Sequence, residues 1–148
     1  MSMDALKAFQ LAAKLHWGQV DKAGCPYIEH LTRVFLRVQA GGGDVMQQIA
    51  ALLHDSIEDG KATAEQLILL GVPEQALGLI SVLTKPKGQD YADYLAHVKS
   101  VPRALLVKLA DLEDNSDPER LAALPDAVAQ RLLLKYEQAA QYLGHRTL

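Results

Sequence analysis

Apolar residues recur at every third or fourth position along most of the chain, which is the spacing that places them on one face of an α-helix. The first such segment is predicted to run from Asp4, a suitable N-cap, to His16. A second helix is expected to open at Pro26, because proline fits the first turn of a helix. The residues on its apolar face are Ile28, Leu31, Phe35 and Val38. β-Branched residues never alternate with polar ones over the length of a strand, so the pattern predicts an all-α fold.

Glycines and capping residues divide the remainder of the chain into further helices. Glycines 41–43 break the pattern, because each glycine costs a helix roughly 1 kcal/mol relative to alanine. Asp44 then caps a third helix, which we expect to continue to about Glu58, and Thr63 begins a capping-box pattern for a short fourth helix. This fourth helix is predicted over about 63–71, and later helices over about 73–83, 91–98, 102–114 and 126–143.

The composition is that of an ordinary folded domain. Of the 148 residues, 49% are hydrophobic and 22% are charged, which excludes disordered and collagen-like chains and suits one domain spanning residues 1–148. The apolar runs are far shorter than the roughly 20 residues that cross a membrane, and a net charge of -3 argues against an extended surface for nucleic acid. Cys25 is the only cysteine, so no internal disulfide is expected. We therefore expect a cytoplasmic protein without nucleic-acid or membrane partners.

Four ionisable residues follow the apolar part of the third predicted helix. They are His54, Asp55, Glu58 and Asp59, whose spacings of three and four would place all of them over one side of a single helical turn. Like charges at this density are unfavourable unless a cation or protons neutralise them, and carboxylates beside an imidazole suit Mn, Fe or Zn. The alternative is a solvated helix end with a capping histidine.

Two further candidates lie elsewhere in the chain. Asp111 follows an apolar run and shares a helix face with Asn115, four residues later. His30 lies within the second amphipathic helix. Each alone is explained by capping or solvation more readily than by chemistry, and spacing alone does not join them to His54 and Asp55.

Their order along the chain resembles a known family. The segments 27–30, 51–55 and 107–111, which read YIEH, ALLHD and VKLAD, resemble the H, HD and D motifs of HD-domain phosphohydrolases. The match is sharper to the hydrolase domain of the RelA/SpoT family, small hydrolase-only members included, which removes pyrophosphate from (p)ppGpp. It covers about residues 9–115 and depends on segments 16–19, 22–28, 54–60, 83–85 and 108–115.

The resemblance implies an HD-domain helical fold and a role for each site residue. One divalent metal, expected to be Mn²⁺, would be bound by His30, His54, Asp55 and Asp111. Glu58 and Asp59 would act on the attacking water, and Glu58 is our preferred base. The residues expected to contact a nucleotide or its phosphates are Lys22, Lys108 and Asn115, although for each lysine a solvated surface position is an equal alternative.

Two departures from the family pattern keep the substrate open. Asp21 stands where these hydrolases usually have an arginine. After the position of Asp111 they tend to have Arg-Leu-His-Asn and a nearby Arg-Thr, whereas segment 112–118 of this chain reads LEDNSDP and ends at Pro118. Acids in place of a guanidinium and an imidazole would repel an anionic ligand. The leading expectation is a guanosine-3′,5′-bis(diphosphate) 3′-pyrophosphohydrolase, the alternatives being an HD hydrolase of another nucleotide or phosphate ester and a non-catalytic nucleotide-sensing module. Whether the last helix packs within the chain or in a homodimer is also left open.

Overall fold

The computed structural model describes residues 3–144, and this part of the chain folds into nine α-helices without a strand. The helices are α1 (Ala5–Leu15), α2 (Tyr27–Ala40), α3 (Val45–Leu53), α4 (Ala64–Leu69), α5 (Glu74–Leu83), α6 (Tyr91–Lys99), α7 (Pro102–Asn115), α8 (Pro118–Ala122) and α9 (Asp126–Tyr142). An isolated bridge joins Val20 to Pro26 in the loop before α2, and Pro26 is the N-cap of α2 rather than part of its first turn. The all-α prediction is confirmed. The predicted domain also includes residues 1–2 and 145–148, which lie outside the described residues.

Side-chain caps start several helices where the sequence predicts them. Asp4 accepts a hydrogen bond from a backbone N–H in the first turn of α1. Asp44 and Gln47 form a reciprocal capping box at the start of α3, with N···O distances of 3.0 and 2.9 Å. Thr63 and Gln66 do the same for α4, at 3.1 and 2.9 Å. These interactions are local, so the residue pattern alone predicts them.

Helix α3 lies at the centre of the hydrophobic core. Its residues from Ile49 to Leu53 are fully buried, and it packs against α1, α2, α5 and α7. Since burying one leucine or isoleucine side chain contributes roughly 1.5–3 kcal/mol, this run fixes α3 between α2 and α7. Helix α9 packs on α7 and α8 of the same chain. No helix in residues 3–144 is both long enough and apolar enough to cross a membrane.

The third helix is shorter than predicted. It ends at Leu53, and residues 54–60 form successive turns instead of continuing as a helix to Glu58. Ser56 accounts for the break, because both its backbone N–H and its hydroxyl donate to the Leu53 carbonyl, at 3.0 and 2.6 Å. Gly60 then adopts a φ of 71°, and the backbone turns back so that Lys61 N–H bonds to the Ser56 carbonyl. The predicted single helical turn carrying all four ionisable residues is therefore wrong.

The short helix α8 was not predicted from the sequence. Asp117 caps it by accepting from Glu119 N–H at 2.9 Å, and Pro118 occupies its first turn. At five residues it is too short to show an apolar period, so only its cap and proline could have indicated it. It carries Arg120 towards α2 and α7.

Substitution by alanine should have opposite effects on the free energy of unfolding at two glycines. A Cβ on Gly43 would lie 2.4 Å from Val38 Cγ1 and 2.9 Å from the Val38 carbonyl oxygen, whereas a Cβ on Gly78, inside α5, would meet nothing within 4 Å. We expect Gly43→Ala to lower the free energy of unfolding by roughly 1–3 kcal/mol. Gly78→Ala should raise it by up to about 1 kcal/mol. Urea unfolding of both variants measures the difference, and equal effects would contradict the packing described for the α2–α3 turn.

Candidate metal centre

Four side chains from three separate elements converge at one point. His30 lies on α2, His54 and Asp55 follow the end of α3, and Asp111 lies on α7. One potential ligand atom from each lies within 4.8 Å of all the others. Asp111 Oδ1 is 3.0 Å from His30 Nε2 and 3.2 Å from His54 Nε2, and Asp55 Oδ2 is 3.2 Å from His54 Nε2. The structure thus brings together the four residues predicted to bind the metal.

Both imidazoles direct the same nitrogen at this point. His54 Nδ1 donates to the Ala51 carbonyl at 2.7 Å, and His30 Nδ1 lies 2.7 Å from Asp114 Oδ2. With each Nδ1 engaged in this way, each Nε2 is directed at Asp111. Two imidazole nitrogens and two carboxylates form a donor set that divalent transition metals take in proteins, so the residues present fit such an ion.

Burial and charge shift the pKa values of these groups strongly. Burial by itself would lower the pKa of His54, but the Asp55 and Asp111 carboxylates outweigh it and raise the pKa to about 9. Burial would raise the pKa of Asp111, yet Lys108 and the two histidines hold that pKa well below its usual range. Without a metal, protons on the imidazoles therefore offset the buried carboxylate charge.

A tyrosine that the sequence analysis did not single out completes the contacts of Asp55. The Tyr27 hydroxyl donates to Asp55 Oδ2, and burial together with the Asp55 charge raises the pKa of Tyr27. The Tyr27 ring also lies 5.3 Å from that of His30, between ring centroids. Its position three residues before His30, one helical turn away, was the available signal.

The two predicted catalytic carboxylates, Glu58 and Asp59, accept hydrogen bonds from different partners. Glu58 Oε1 accepts from the backbone N–H of Lys85 at 2.7 Å. Asp59 Oδ2 accepts from Gln19 Nε2 at 3.0 Å, and Gln19 Oε1 in turn lies 2.7 Å from His16 Nδ1. Both carboxylates are exposed and line the same cavity as Asp55 and Asp111.

That cavity has a volume of about 680 Å³ and is lined by charged, aromatic and apolar side chains. Its lining includes the three residues predicted to contact substrate: Lys22, Lys108 and Asn115. It also includes cations and tyrosines that sequence reasoning missed: Lys85, Arg120, Lys135, Tyr91, Tyr94 and Tyr136. Lys85 follows the end of α5 within segment 83–85, and the others lie on α6, α8 and α9, where no local motif marks them.

Lys108 and Asn115 both contact the candidate metal ligand Asp111. Lys108 Nζ lies 3.1 Å from Asp111 Oδ2, and its side chain is only 13% exposed, so the solvated-surface alternative for this lysine is wrong. Asn115 Nδ2 donates to Asp111 Oδ1 at 3.3 Å, as their shared helix face predicted. Lys22, by contrast, is exposed at the rim of the cavity.

The two unusual acids are paired with arginine. Asp21 Oδ2 lies 3.1 Å from Arg120 Nη2, and its Oδ1 accepts from the backbone N–H groups of Ala23 and Cys25. Burial alone would raise the pKa of Asp21, but these hydrogen bonds and Arg120 lower it. Asp114 is fully buried and contacts both Arg33 and Arg120. Pairing with Arg120 offsets the negative charge that these acids would present to an anionic ligand. The sequence did not predict this pairing, because Arg120 lies on the unpredicted helix α8.

Comparison with known proteins identifies the family of this chain. A family model described as an HD domain matches residues 8–104 of the chain. The matched range contains His30, His54 and Asp55, and Asp111 lies beyond its end.

Curated relatives match most of this chain. A guanosine-3′,5′-bis(diphosphate) 3′-pyrophosphohydrolase of Aquifex aeolicus is 33% identical over 117 residues, which cover 74% of this chain and 17% of the relative. The bifunctional (p)ppGpp synthase/hydrolase SpoT of Escherichia coli is 34% identical, with 93% of this chain and 21% of the relative covered. A GTP pyrophosphokinase of Myxococcus xanthus is 32% identical, with 93% and 20% covered. The chain thus spans about a fifth of the length of the curated relatives it matches.

A solved structure shares the fold. It is that of a metazoan orthologue of SpoT, described as hydrolysing ppGpp and acting in starvation responses. The two superpose with a TM-score of 0.78 over 99% of this chain and 89% of the other, at 24% sequence identity. The predicted HD-domain helical fold is confirmed.

The raised pKa of His54 predicts how the stability of the metal-free protein depends on pH. A histidine whose pKa rises on folding, here from 6.5 to about 9, stabilises the fold fully below pH 6.5 and loses that contribution as the pH rises through about 9. In chelator, we expect the free energy of unfolding to fall by roughly 3 kcal/mol across this range.

Urea unfolding at several pH values measures this dependence. His54→Gln should reduce the loss of stability with pH and leave the part that comes from His30, whose pKa Asp111 and Asp114 also raise. His97→Gln, at an exposed histidine on α6, is the control and should keep the wild-type profile. A wild-type stability that is constant from pH 6.5 to 9 would contradict the assignment.

Proposed function

The chain belongs to the HD-domain family, and from this premise we propose that it is a metal-dependent phosphohydrolase. Its leading substrate is guanosine-3′,5′-bis(diphosphate), from which it would remove the 3′-pyrophosphate, as the names of relatives indicate for those proteins. The observation that carries the proposal is the convergence of two imidazoles and two carboxylates, of which the carboxylates, Asp55 and Asp111, line a cavity together with several cations.

In this proposal His30, His54, Asp55 and Asp111 hold the metal, and Mn²⁺ is the ion we propose. When bound, the metal supplies Lewis acidity that polarises a phosphoryl oxygen and an attacking water. Tyr27 holds the Asp55 carboxylate in place through its hydroxyl.

Glu58 is the proposed general base, and Asp59 orients the water. The Lys85 N–H holds the Glu58 carboxylate at the wall of the cavity that Asp55 and Asp111 also line, which supports this role. Gln19 donates a hydrogen bond to Asp59 Oδ2 and so holds the carboxylate in place. The other lone pairs of the carboxylate can accept from water.

Lysines on the cavity wall would bind the phosphate oxygens of the substrate. Lys22, Lys108 and Lys135 all line the cavity. Partial burial and the charges of Lys108 and Lys22 lower the pKa of Lys135. Concentrated positive charge of this kind is unfavourable unless an anion offsets it, and a pyrophosphate does so. Lys135 also lies over the Tyr91 ring, 5.0 Å from its centroid.

The apolar part of the cavity lining would receive the nucleoside. Leu121, Leu124 and Leu132 provide this apolar surface, and Asn115 and Arg120 provide hydrogen-bonding groups. Asp21 stands where the RelA/SpoT pattern has an arginine, and it pairs with Arg120. This observation favours the second candidate function, an HD hydrolase of a different nucleotide or phosphate ester. We further propose a cytoplasmic location, where such nucleotides occur.

Hydrolysis assays over a panel of nucleotides test the proposal. With Mn²⁺, the wild type should release pyrophosphate from guanosine-3′,5′-bis(diphosphate), and chelator should stop the release. Glu58→Gln should lower kcat by roughly 10²–10⁴-fold without loss of bound metal, because only the proton acceptor is removed. His54→Ala should lose both metal and turnover.

Glu65→Gln, at an exposed position on α4, is the matched control and should retain full activity. Release from another nucleotide alone would favour the second candidate function. Nucleotide binding without turnover in the metal-loaded wild type would instead identify a sensing module and contradict the enzyme.

The phosphate-binding role of the lysines is tested by Lys135→Gln. A hydrogen bond to a charged group contributes roughly 1.5–3 kcal/mol, so the KM for the nucleotide should rise by about tenfold or more while kcat changes little. Arg131→Gln removes the same charge from an exposed position on the same helix outside the cavity lining. Equal changes in KM for the two variants would show that only the overall charge matters.

A further inference from the structure

A fully buried carboxylate lies behind the candidate metal ligand His30. Asp114 is three residues after Asp111 on α7, and its side chain has no exposed surface. Its Oδ2 is 2.7 Å from His30 Nδ1 and 2.9 Å from Arg120 Nη1, while its Oδ1 is 2.7 Å from Arg33 Nε. The carboxylate thus joins α2, α7 and α8 at one point.

Stability alone does not explain this arrangement. Buried ion pairs frequently contribute no more to stability than a well-packed apolar replacement, because removing the charges from water is costly. The orientation has a specific chemical effect instead. Since a carboxylate accepts from His30 Nδ1, that nitrogen must carry the hydrogen, and the lone pair that binds a metal then resides on Nε2.

The guanidinium groups make Asp114 the shared acceptor. Arg120 Nη1 is 3.2 Å from His30 Nδ1, and neither nitrogen accepts from the other while both donate to Asp114 Oδ2. Arg33 reaches Asp114 from one turn further along the helix that carries His30. The two arginines fix the carboxylate from two sides, so it cannot rotate away from the imidazole without losing a partner.

The two imidazoles of the site differ in this respect. His54 Nδ1 donates to a neutral backbone carbonyl, that of Ala51, whereas His30 Nδ1 faces a carboxylate. A carboxylate partner makes an imidazole a stronger donor to a metal than a carbonyl partner does. The charge of Asp114 therefore acts on one metal ligand selectively.

We propose that Asp114 is a positioning residue of the metal centre, which presents His30 Nε2 to the metal and is itself held by Arg33 and Arg120. The inference depends on the metal site of the proposed function but not on its substrate. Arg120 also contacts Asn115 Oδ1 and Asp21 Oδ2, each at 3.1 Å, so the same side chain connects the support of His30 to the wall of the cavity.

Calorimetric titration of chelator-treated protein with Mn²⁺ tests the inference. Asp114→Asn should weaken binding by about 10–100-fold, the range found when an outer partner of a ligating histidine is lost. Glu113→Gln is the matched control, because it removes one negative charge from the preceding residue of α7, whose partly exposed carboxylate pairs with Arg37. Its affinity for Mn²⁺ should equal that of the wild type.

A spectroscopic signature separates positioning from a structural role. With Co²⁺ in place of Mn²⁺, the visible absorption bands should shift in Asp114→Asn and remain unchanged in Glu113→Gln, because the bands report the ligand field at the ion. If Asp114→Asn does not fold, as judged by circular dichroism in chelator, Arg120→Gln replaces it and should show a smaller loss of affinity in the same direction.

The outcomes distinguish the inference from the proposed function. Equal Mn²⁺ affinity and unshifted Co²⁺ bands in the Asp114 and Arg120 variants would overturn the inference alone. A wild type that binds no divalent metal would overturn the proposed function and this inference with it. Normal metal binding without hydrolysis of any nucleotide would overturn the proposed enzyme and leave the role of Asp114 intact.

Discussion

One carboxylate oxygen, Asp111 Oδ1, is shared by two imidazoles from different parts of the chain, at 3.0 Å from His30 Nε2 and 3.2 Å from His54 Nε2. Three buried polar groups at this spacing are stable only when protons or a cation offset their charge. The packing of α3 between α2 and α7 holds them together regardless, since the fully buried run from Ile49 to Leu53 fixes the end of α3. The core therefore imposes an arrangement that its polar groups alone would not favour, which is a common feature of functional sites.

Local features of the fold were predictable from the sequence, and long-range ones were not. The caps at Asp4, Asp44 and Thr63 depend on residues three positions apart, so the helix starts followed directly from the pattern. The end of α3 depends on Ser56 bonding back to Leu53, a competition between side chain and backbone that periodicity does not show. The cations that line the cavity, such as Lys135, come from distant helices and have no motif. The four candidate metal ligands were joined only through resemblance, because spacing within one helix carries no information about another.

The acids at Asp21 and Asp114 show why charges should be considered with their partners. Taken singly, each replaces a cationic or neutral group and would repel an anionic ligand. In the fold both contact Arg120, so their charge is balanced and one of them supports His30. The departures from the family pattern are thus connected to one another through a single guanidinium, with Asp21 at the wall of the cavity and Asp114 beside the candidate metal ligand His30.

Residues from α2, α7 and the end of α3 are proposed to bind one divalent metal. The most direct measurement is anomalous diffraction from crystals grown with Mn²⁺, with data collected on both sides of the manganese absorption edge. We expect one anomalous peak per chain, next to Nε2 of His30 and His54 and the carboxylates of Asp55 and Asp111. A peak elsewhere, such as between Glu58 and Asp59, or no peak at saturating Mn²⁺, would contradict this proposal.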